Sequence, residues 1–445
     1  MRFKNIAVLN EDFSVSYGMD VWIDGAFIIS VEETGRKGRP EASSGSAGRE
    51  IDGTGKLLMP GFYNAHTHLP MTLMRGYGEN LPLADWMAKK IFPFEDRLTG
   101  TDCYYASSLA IAESFSHGIV SSSDMYFFCD DIVRAAIDAG AKINASRGLS
   151  FFDEILDLTG FKPYEESKAL FREYHGEQDG RIRVDNSLHG EYTATPGLIE
   201  AVSGLVSETG APVHVHVSET REEHEGCKER NQGRTPVQVL ADSGVFDNGG
   251  IAAHCVWIEE DDANILKEKG ITMVTCPISN MKLASGIARV PLILEKGINV
   301  ALGTDSAASN NSYNFFETIK MTALLAKVRF DDPTLITPGE ALYMATRAGA
   351  VAQGRQDCGV IKEGNRADMV VLDINAASLY PVYEMANNLV YAASSRDIVA
   401  TIVDGKVVYE KGEFPTIDIE RAIYETERAG VRILDELGET AGVPA

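Results

Sequence analysis

The run Leu57-Leu58-Met59-Pro60-Gly61-Phe62-Tyr63-Asn64-Ala65-His66-Thr67-His68 is a short apolar stretch that closes on two histidines. Three later runs are built the same way: APVHVHVSE (211–219) carries His216, GGIAAHCVW (249–257) carries His254 and INVALGTDS (298–306) carries Asp305. A strand ending in a metal-binding side chain, repeated through alternating strands and helices, describes an α/β fold of the (β/α)8 TIM-barrel type. Such barrels carry their chemistry on the C-terminal ends of their strands. Candidate strands fall at 59–68, 119–126, 141–149, 181–190, 211–219, 249–257, 270–277 and 298–306. Helical spacing separates them, as in TPGLIEAVSGLVSETG, and DDANILKEKG ends on Gly270 as a helix C-cap does.

Outward from these strands the texture changes. Residues 1–58 read as short strands with turns, and the same texture returns in ADMVVLDI, IVATIVDG and KVVYEKGEF. Asp404-Gly405 between two alternating runs signals a hairpin. Two β-rich ends around one α/β segment most simply pair with each other. The expected organisation is a small composite β-sandwich domain from 1–58 and 365–415, a barrel over 59–364, and a C-terminal helix in 416–445. The polar loop GRKGRPEASSGSAGRE (35–50) is expected to be mobile.

The chain has 445 residues, 44% of them hydrophobic, which suits one barrel of about 250 residues or more with an appendage. A net charge of −24 argues against a nucleic-acid backbone or an anionic membrane as partner. A small-molecule substrate is the expectation, handled by a homo-oligomer. The six cysteines are scattered without a Cys-x-x-Cys pair, as in reduced thiols of a cytoplasmic enzyme. The N-terminal run lacks a signal-peptide core, and no stretch approaches a membrane span.

His66 and His68 stand two apart on a strand, so both side chains share one face. Histidine nitrogen with aspartate oxygen suits zinc, with iron or manganese open from the donor set alone. His214 and His216 also share a face. His216 lies nearer the strand's end, which leaves His214 as a buried, hydrogen-bonded barrel residue. Strand four ends Ser187-Leu188-His189 without a lysine to bridge two ions, so one metal is expected. Beside Glu222 and Glu223, Glu219 alone would read as a solvated acid. Three residues after His216, it becomes a candidate proton shuttle. His117, His175 and His224 read as surface or helix-end residues.

Together PGFYNAHTH, His216-Val217-Ser218-Glu219, Ala253-His254-Cys255 and Gly303-Thr304-Asp305-Ser306 resemble the amidohydrolase superfamily over nearly the whole chain. HTHLPMTLMRGYGENLPLADWM with Phe94-Glu95-Asp96-Arg97-Leu98 is similar to its methylthioadenosine/S-adenosylhomocysteine deaminase branch. The resemblance implies metal binding by His66, His68, His216 and Asp305, with His254 orienting the attacking water. It implies substrate contacts at Trp86, Glu95, Arg147, His189 and Glu219, with Glu95 holding the ribose hydroxyls. The implied reaction is hydrolytic loss of the 6-amino group of an adenine nucleoside. Asp305 would act as ligand and base, and Glu219 would protonate N1.

Two departures stand out. His189-Gly190-Glu191-Tyr192 replaces a common His-Ser-Pro-Tyr, and no second arginine follows Arg147 in SFFDEILDLTGFKPYEESKALF, since Arg172 lies far along a helix. Methylthioadenosine, 5′-deoxyadenosine and adenosine therefore stand level with S-adenosylhomocysteine. Guanine or pterin deaminases and triazine chloro- or aminohydrolases are rival readings with the same ligand set. A non-catalytic barrel used for assembly or sensing is the rival from another class.

Overall fold

In the computed structural model, which describes residues 1–35, 49–153, 158 and 160–439, the chain changes sheets at Gly61. Before it come β1 (Arg2–Leu9), β2 (Val15–Asp24), β3 (Phe27–Glu33), β4 (Glu50–Asp52) and β5 (Lys56–Pro60). After it come β6 (Phe62–Thr67), β7 (Ile119–Tyr126), β8 (Lys142–Arg147), β9 (Ile182–Val184), β10 (Asn186–Gly190) and β11 (Val213–Val217). They are followed by β12 (Gly250–His254), β13 (Ile271–Thr275) and β14 (Val300–Leu302), then β15 (Met369–Asp373), β16 (Ile398–Val403) and β17 (Lys406–Glu410). The expected first barrel strand, 59–68, is thus shared between two sheets. A Cβ on Gly61 would lie 2.4 Å from Val120 Cγ1, so only glycine lets the crossover pass this close.

The two chain ends do pair. β5 runs antiparallel to β15, with Pro60 opposite Met369 and Lys56 opposite Asp373. The strand order is β17-β16-β15-β5-β1-β2-β3, with β4 on β1. These strands, drawn from both chain ends, form one mixed hydrogen-bonded sheet. Successive side chains along each strand point to opposite faces. Leu57, Met59, Val370 and Leu372 join the large core, whereas Leu58, Met369 and Val371 join a smaller cluster with Phe3, Ile6 and Ile402. One face of the sheet thus packs on the main core, and its other face buries a smaller core of its own. The loop expected to be mobile lies, at 36–48, outside the described residues.

β6 to β9 form one parallel arc and β10 to β14 a second. Their order follows the eight expected strands, except that strand four is split at Asp185 into β9 and β10. The two arcs are stitched at both seams. Asp185 N donates to Ala145 O at 3.1 Å and His189 N to Leu149 O at 2.8 Å; opposite, Asp305 N donates to His66 O at 3.0 Å. Asn64 adds a side-chain pair to Thr304 at 2.7 and 2.9 Å.

Fully buried Lys142 on β8 joins the arcs to the mixed sheet. It bonds Asp368, which also accepts from Tyr63 Oη at 2.8 Å, and it lies 2.7 Å from Asp404 Oδ1. The C-terminal helix, Ile419–Glu436, is tied to the helix Gly100–Ser116 by Arg432 on Asp102 at 2.6 Å. All six cysteines are buried and free, and no described helix is long and apolar enough to cross a membrane.

Candidate active site

The histidines close their strands in a dry, crowded place. His68 Nδ1 bonds Met125 O, and His216 Nδ1 bonds His189 O at 2.6 Å. A backbone carbonyl can only accept, so each Nδ1 carries hydrogen and each Nε2 is turned inward. The two Nε2 atoms face each other at 3.3 Å. Asp305 Oδ1 lies 3.4 Å from His68 Nε2 and 3.7 Å from His66 Nε2, and the latter atom is buried without a partner among the described residues. Converging lone pairs and a carboxylate oxygen demand a shared positive charge, which a divalent ion supplies. Burial works against charge on His68, yet Asp305 outweighs it and pushes the imidazole up to about 9.

Asp305 has a left-handed backbone, φ 61°, just beyond β14. Its Oδ2 accepts from Ser279 Oγ at 2.5 Å and Ser309 Oγ at 2.8 Å, and its Oδ1 accepts from Ser306 N at 2.7 Å. Burial would raise this carboxyl, but the hydrogen bond and charge of His68 hold it well below the usual range. His66, His254 and Cys276 also approach one another. Burial keeps the Cys276 thiol protonated, which makes it a poor ligand.

His254 bonds Asn280 Oδ1 through Nδ1 at 2.8 Å and turns Nε2 toward Glu219 Oε2, 3.8 Å away. Glu219 is buried, which raises its carboxyl above the usual range, and its Oε1 accepts from Ser285 Oγ at 3.3 Å. The turn that carries it is tightly held. Ser218 has φ 49°, and Glu223 accepts both Ser218 N and Glu219 N at 2.7 Å. Ser218 Oγ pairs with His224 Nδ1 at 3.0 Å, and His224 Nε2 lies 3.3 Å from Glu259 Oε1. This corrects the reading of His224 as a surface residue: the helix Arg221–Arg230 turns it under the loop, only 2% exposed. His117 and His175 do cap helix ends.

A cleft of about 810 Å³, open mouth included, lies over this cluster. Trp86, Glu95, His189 and Glu219 line it, as do His68, His216, His254 and Asp305. Burial pushes the Glu95 carboxyl up to about 7 and lowers His189 to about 4, leaving that ring neutral. Arg147 stands apart from the expected set. Its Nε donates to Glu166 Oε2 at 2.9 Å, its Nη1 donates to Gly148 O at 2.7 Å, and it stacks over Phe127 instead of lining the cleft. Among the described residues, no lysine or arginine lines the cleft. Tyr126, Phe92, Phe127 and Leu283 line it without having been singled out in the sequence, and so does Tyr192 of the His189-Gly190-Glu191-Tyr192 run. Of the first four, Tyr126 had a local signal: its place at the end of β7. Glu191, one of the sequence departures, faces Arg230 and Asn231 at 2.6 and 2.9 Å.

A family model described as the amidohydrolase family matches residues 57–408, and the chain belongs to that family. A 5-methylthioadenosine/S-adenosylhomocysteine deaminase of Dictyoglomus thermophilum is 40% identical over 390 residues, 86% of this chain and 89% of the relative. A 5'-deoxyadenosine deaminase of Methanosarcina mazei is 39% identical over 389 residues, 87% of this chain and 89% of the relative. Among solved structures, an adenosine deaminase from Xanthomonas campestris with bound zinc superposes with a TM-score of 0.90. It is 28% identical and covers 98% of both chains. This likeness extends the two parallel arcs to a TIM-type barrel.

Proposed function

We propose that the protein is a hydrolase that removes the 6-amino group of an adenine nucleoside, with one zinc ion held by His66, His68, His216 and Asp305. The carrying observation is that His68, His216 and Asp305 of this cluster, the raised carboxyl of Glu219 and the buried Glu95 line one cleft. The deaminase relatives at 39–40% identity support the same reading. Residues 59–364 would form the closed catalytic barrel, with 1–58 and 365–415 as its supporting domain.

When bound, the ion lowers the pKa of a water molecule toward about 7 and so supplies hydroxide at neutral pH. Asp305 accepts the water's proton, and His254, fixed by Asn280, orients the oxygen toward C6 of the purine. Burial raises the Glu219 carboxyl, which favours its protonated form, and Glu219 delivers a proton to N1 as the carbon is attacked. Neutral His189 and Trp86 border the base, while Glu95 accepts hydrogen bonds from the ribose hydroxyls. Ammonia leaves and an inosine-type product remains.

Among the described residues the cleft offers Met71, Leu83, Met87 and Phe92 but no lysine or arginine, and Arg147 is engaged by Glu166. A neutral 5′ group, deoxy or methylthio, fits such a wall better than a homocysteine carboxylate. An ammonia-release screen of the zinc-loaded protein tests both claims. 5′-Methylthioadenosine and 5′-deoxyadenosine should be used at least as well as S-adenosylhomocysteine. Turnover of guanine, pterin or triazines with nucleosides untouched would overturn the reading.

A further inference from the structure

His214 is the imidazole at the heart of the site to which the proposed reaction gives no task. It lies on β11 two residues before His216 and is fully buried. Its Nε2 is 2.7 Å from His66 Nδ1, with the two rings nearly perpendicular at 80°. The outer nitrogen of each ring, His66 Nε2 and His214 Nδ1, is buried without a partner among the described residues.

One hydrogen occupies the shared bond, and which ring owns it decides what His66 can do. If His66 Nδ1 donates, its Nε2 carries a lone pair toward His68, His216 and Asp305. If His214 Nε2 donates, a neutral His66 keeps its hydrogen on Nε2 and cannot bind an ion. At His68 and His216 this choice is made by backbone carbonyls, which only accept. At His66 it is left to a side chain able to play either part.

We propose that His214 is a positioning residue for the metal, accepting from His66 Nδ1 and thereby holding His66 in its ligand tautomer and orientation. The inference rests on the reading of His66 as a ligand. Partners of this kind raise the basicity of a ligating ring and fix its direction.

The test is zinc affinity by chelator competition, with thermal unfolding of each metal-free protein as the folding control. Glutamine at 214 places an acceptor oxygen near the position of Nε2; leucine places none. His214→Leu should weaken zinc binding about ten- to a hundredfold, and His214→Gln should stay within about threefold of the parent. Parent-like zinc binding by the leucine variant would overturn the proposal, as would equal losses in two variants that melt like the parent. Nitrogen-15 spectra of histidine-labelled, zinc-loaded parent protein provide a test that needs no variant. His66 Nδ1 should appear as a protonated nitrogen, and a bare Nδ1 would overturn the proposal. Undiminished zinc binding by His66→Ala would instead remove the ligand reading beneath it.

Discussion

Glu219 has an ordinary neighbourhood in sequence and an unusual one in space. Burial raises its carboxyl, and Glu223 accepts its backbone N–H, so the group is held at a fixed point. Glu219→Gln keeps the shape and removes the proton. Measured kcat should fall by about two to four powers of ten, with metal content near the parent's. Ordinary turnover by this variant would show that the shuttle lies elsewhere. Glu95 answers a different question, what the cleft holds. A site built to bond hydroxyls loses most against its proper substrate when the bonding group is removed. Glu95→Ala should therefore depress kcat/KM for adenosine-type nucleosides far more than for a 2′,3′-dideoxy analogue. Equal losses on the two would sink the ribose assignment.

At the scale of elements, the split of strand four turns on one buried acid. Asp185 stands between β9 and β10, accepts from Asn144 Nδ2 at 3.2 and 3.0 Å, and is pushed by burial from 3.8 up to about 6. Between those values the folded protein binds more protons than the unfolded chain, so stability falls as pH rises. The unfavourable contribution is absent well below the unfolded value and complete above the folded one. Asp185→Asn retains an acceptor for Asn144 and cannot ionise. Its melting temperature should decline less than the parent's from about pH 4 to about pH 7. Calorimetry at several pH values checks this, and parallel profiles would refute it. The loop after β11 has a comparable dependence on its helix. Thr220 caps Arg221–Arg230 in a capping box with Glu223, the same carboxylate that holds Ser218 and Glu219. Helix start and the turn that carries Glu219 are thus one hydrogen-bonded unit.

At the scale of the molecule, Lys142, Asp368, Asp404 and Tyr63 join the parallel arcs to the mixed sheet. Removing one partner from a buried pair strands the other's charge, which typically costs about 3–5 kcal/mol. Lys142→Met should destabilise the protein by about that amount in denaturant unfolding, because two buried carboxylates lose their cation. Arg366, 3.0 Å from Asp404, partly covers one of them. Lys142→Met combined with Asp368→Asn should recover part of the loss. A Lys142→Met protein as stable as the parent would mean the joint contributes nothing to holding the two sheets together.

The eight strand positions were legible in the sequence because strand signals are local: an apolar run of the right length, bounded by turns and, in four cases, closing on a histidine or aspartate. The pairing of the two chain ends was legible for the same reason, as two pieces of alternating texture with no other partner. Only the tertiary structure decided how those ends pack, because the pleat's two faces look alike until a neighbour covers one. It alone turned Arg147 toward Glu166 and buried His224 beneath the loop that carries Glu219. It alone brought His214 against His66 from 148 residues away. Each of these outcomes depends on which distant side chain arrives within hydrogen-bonding reach, and no local pattern encodes that meeting.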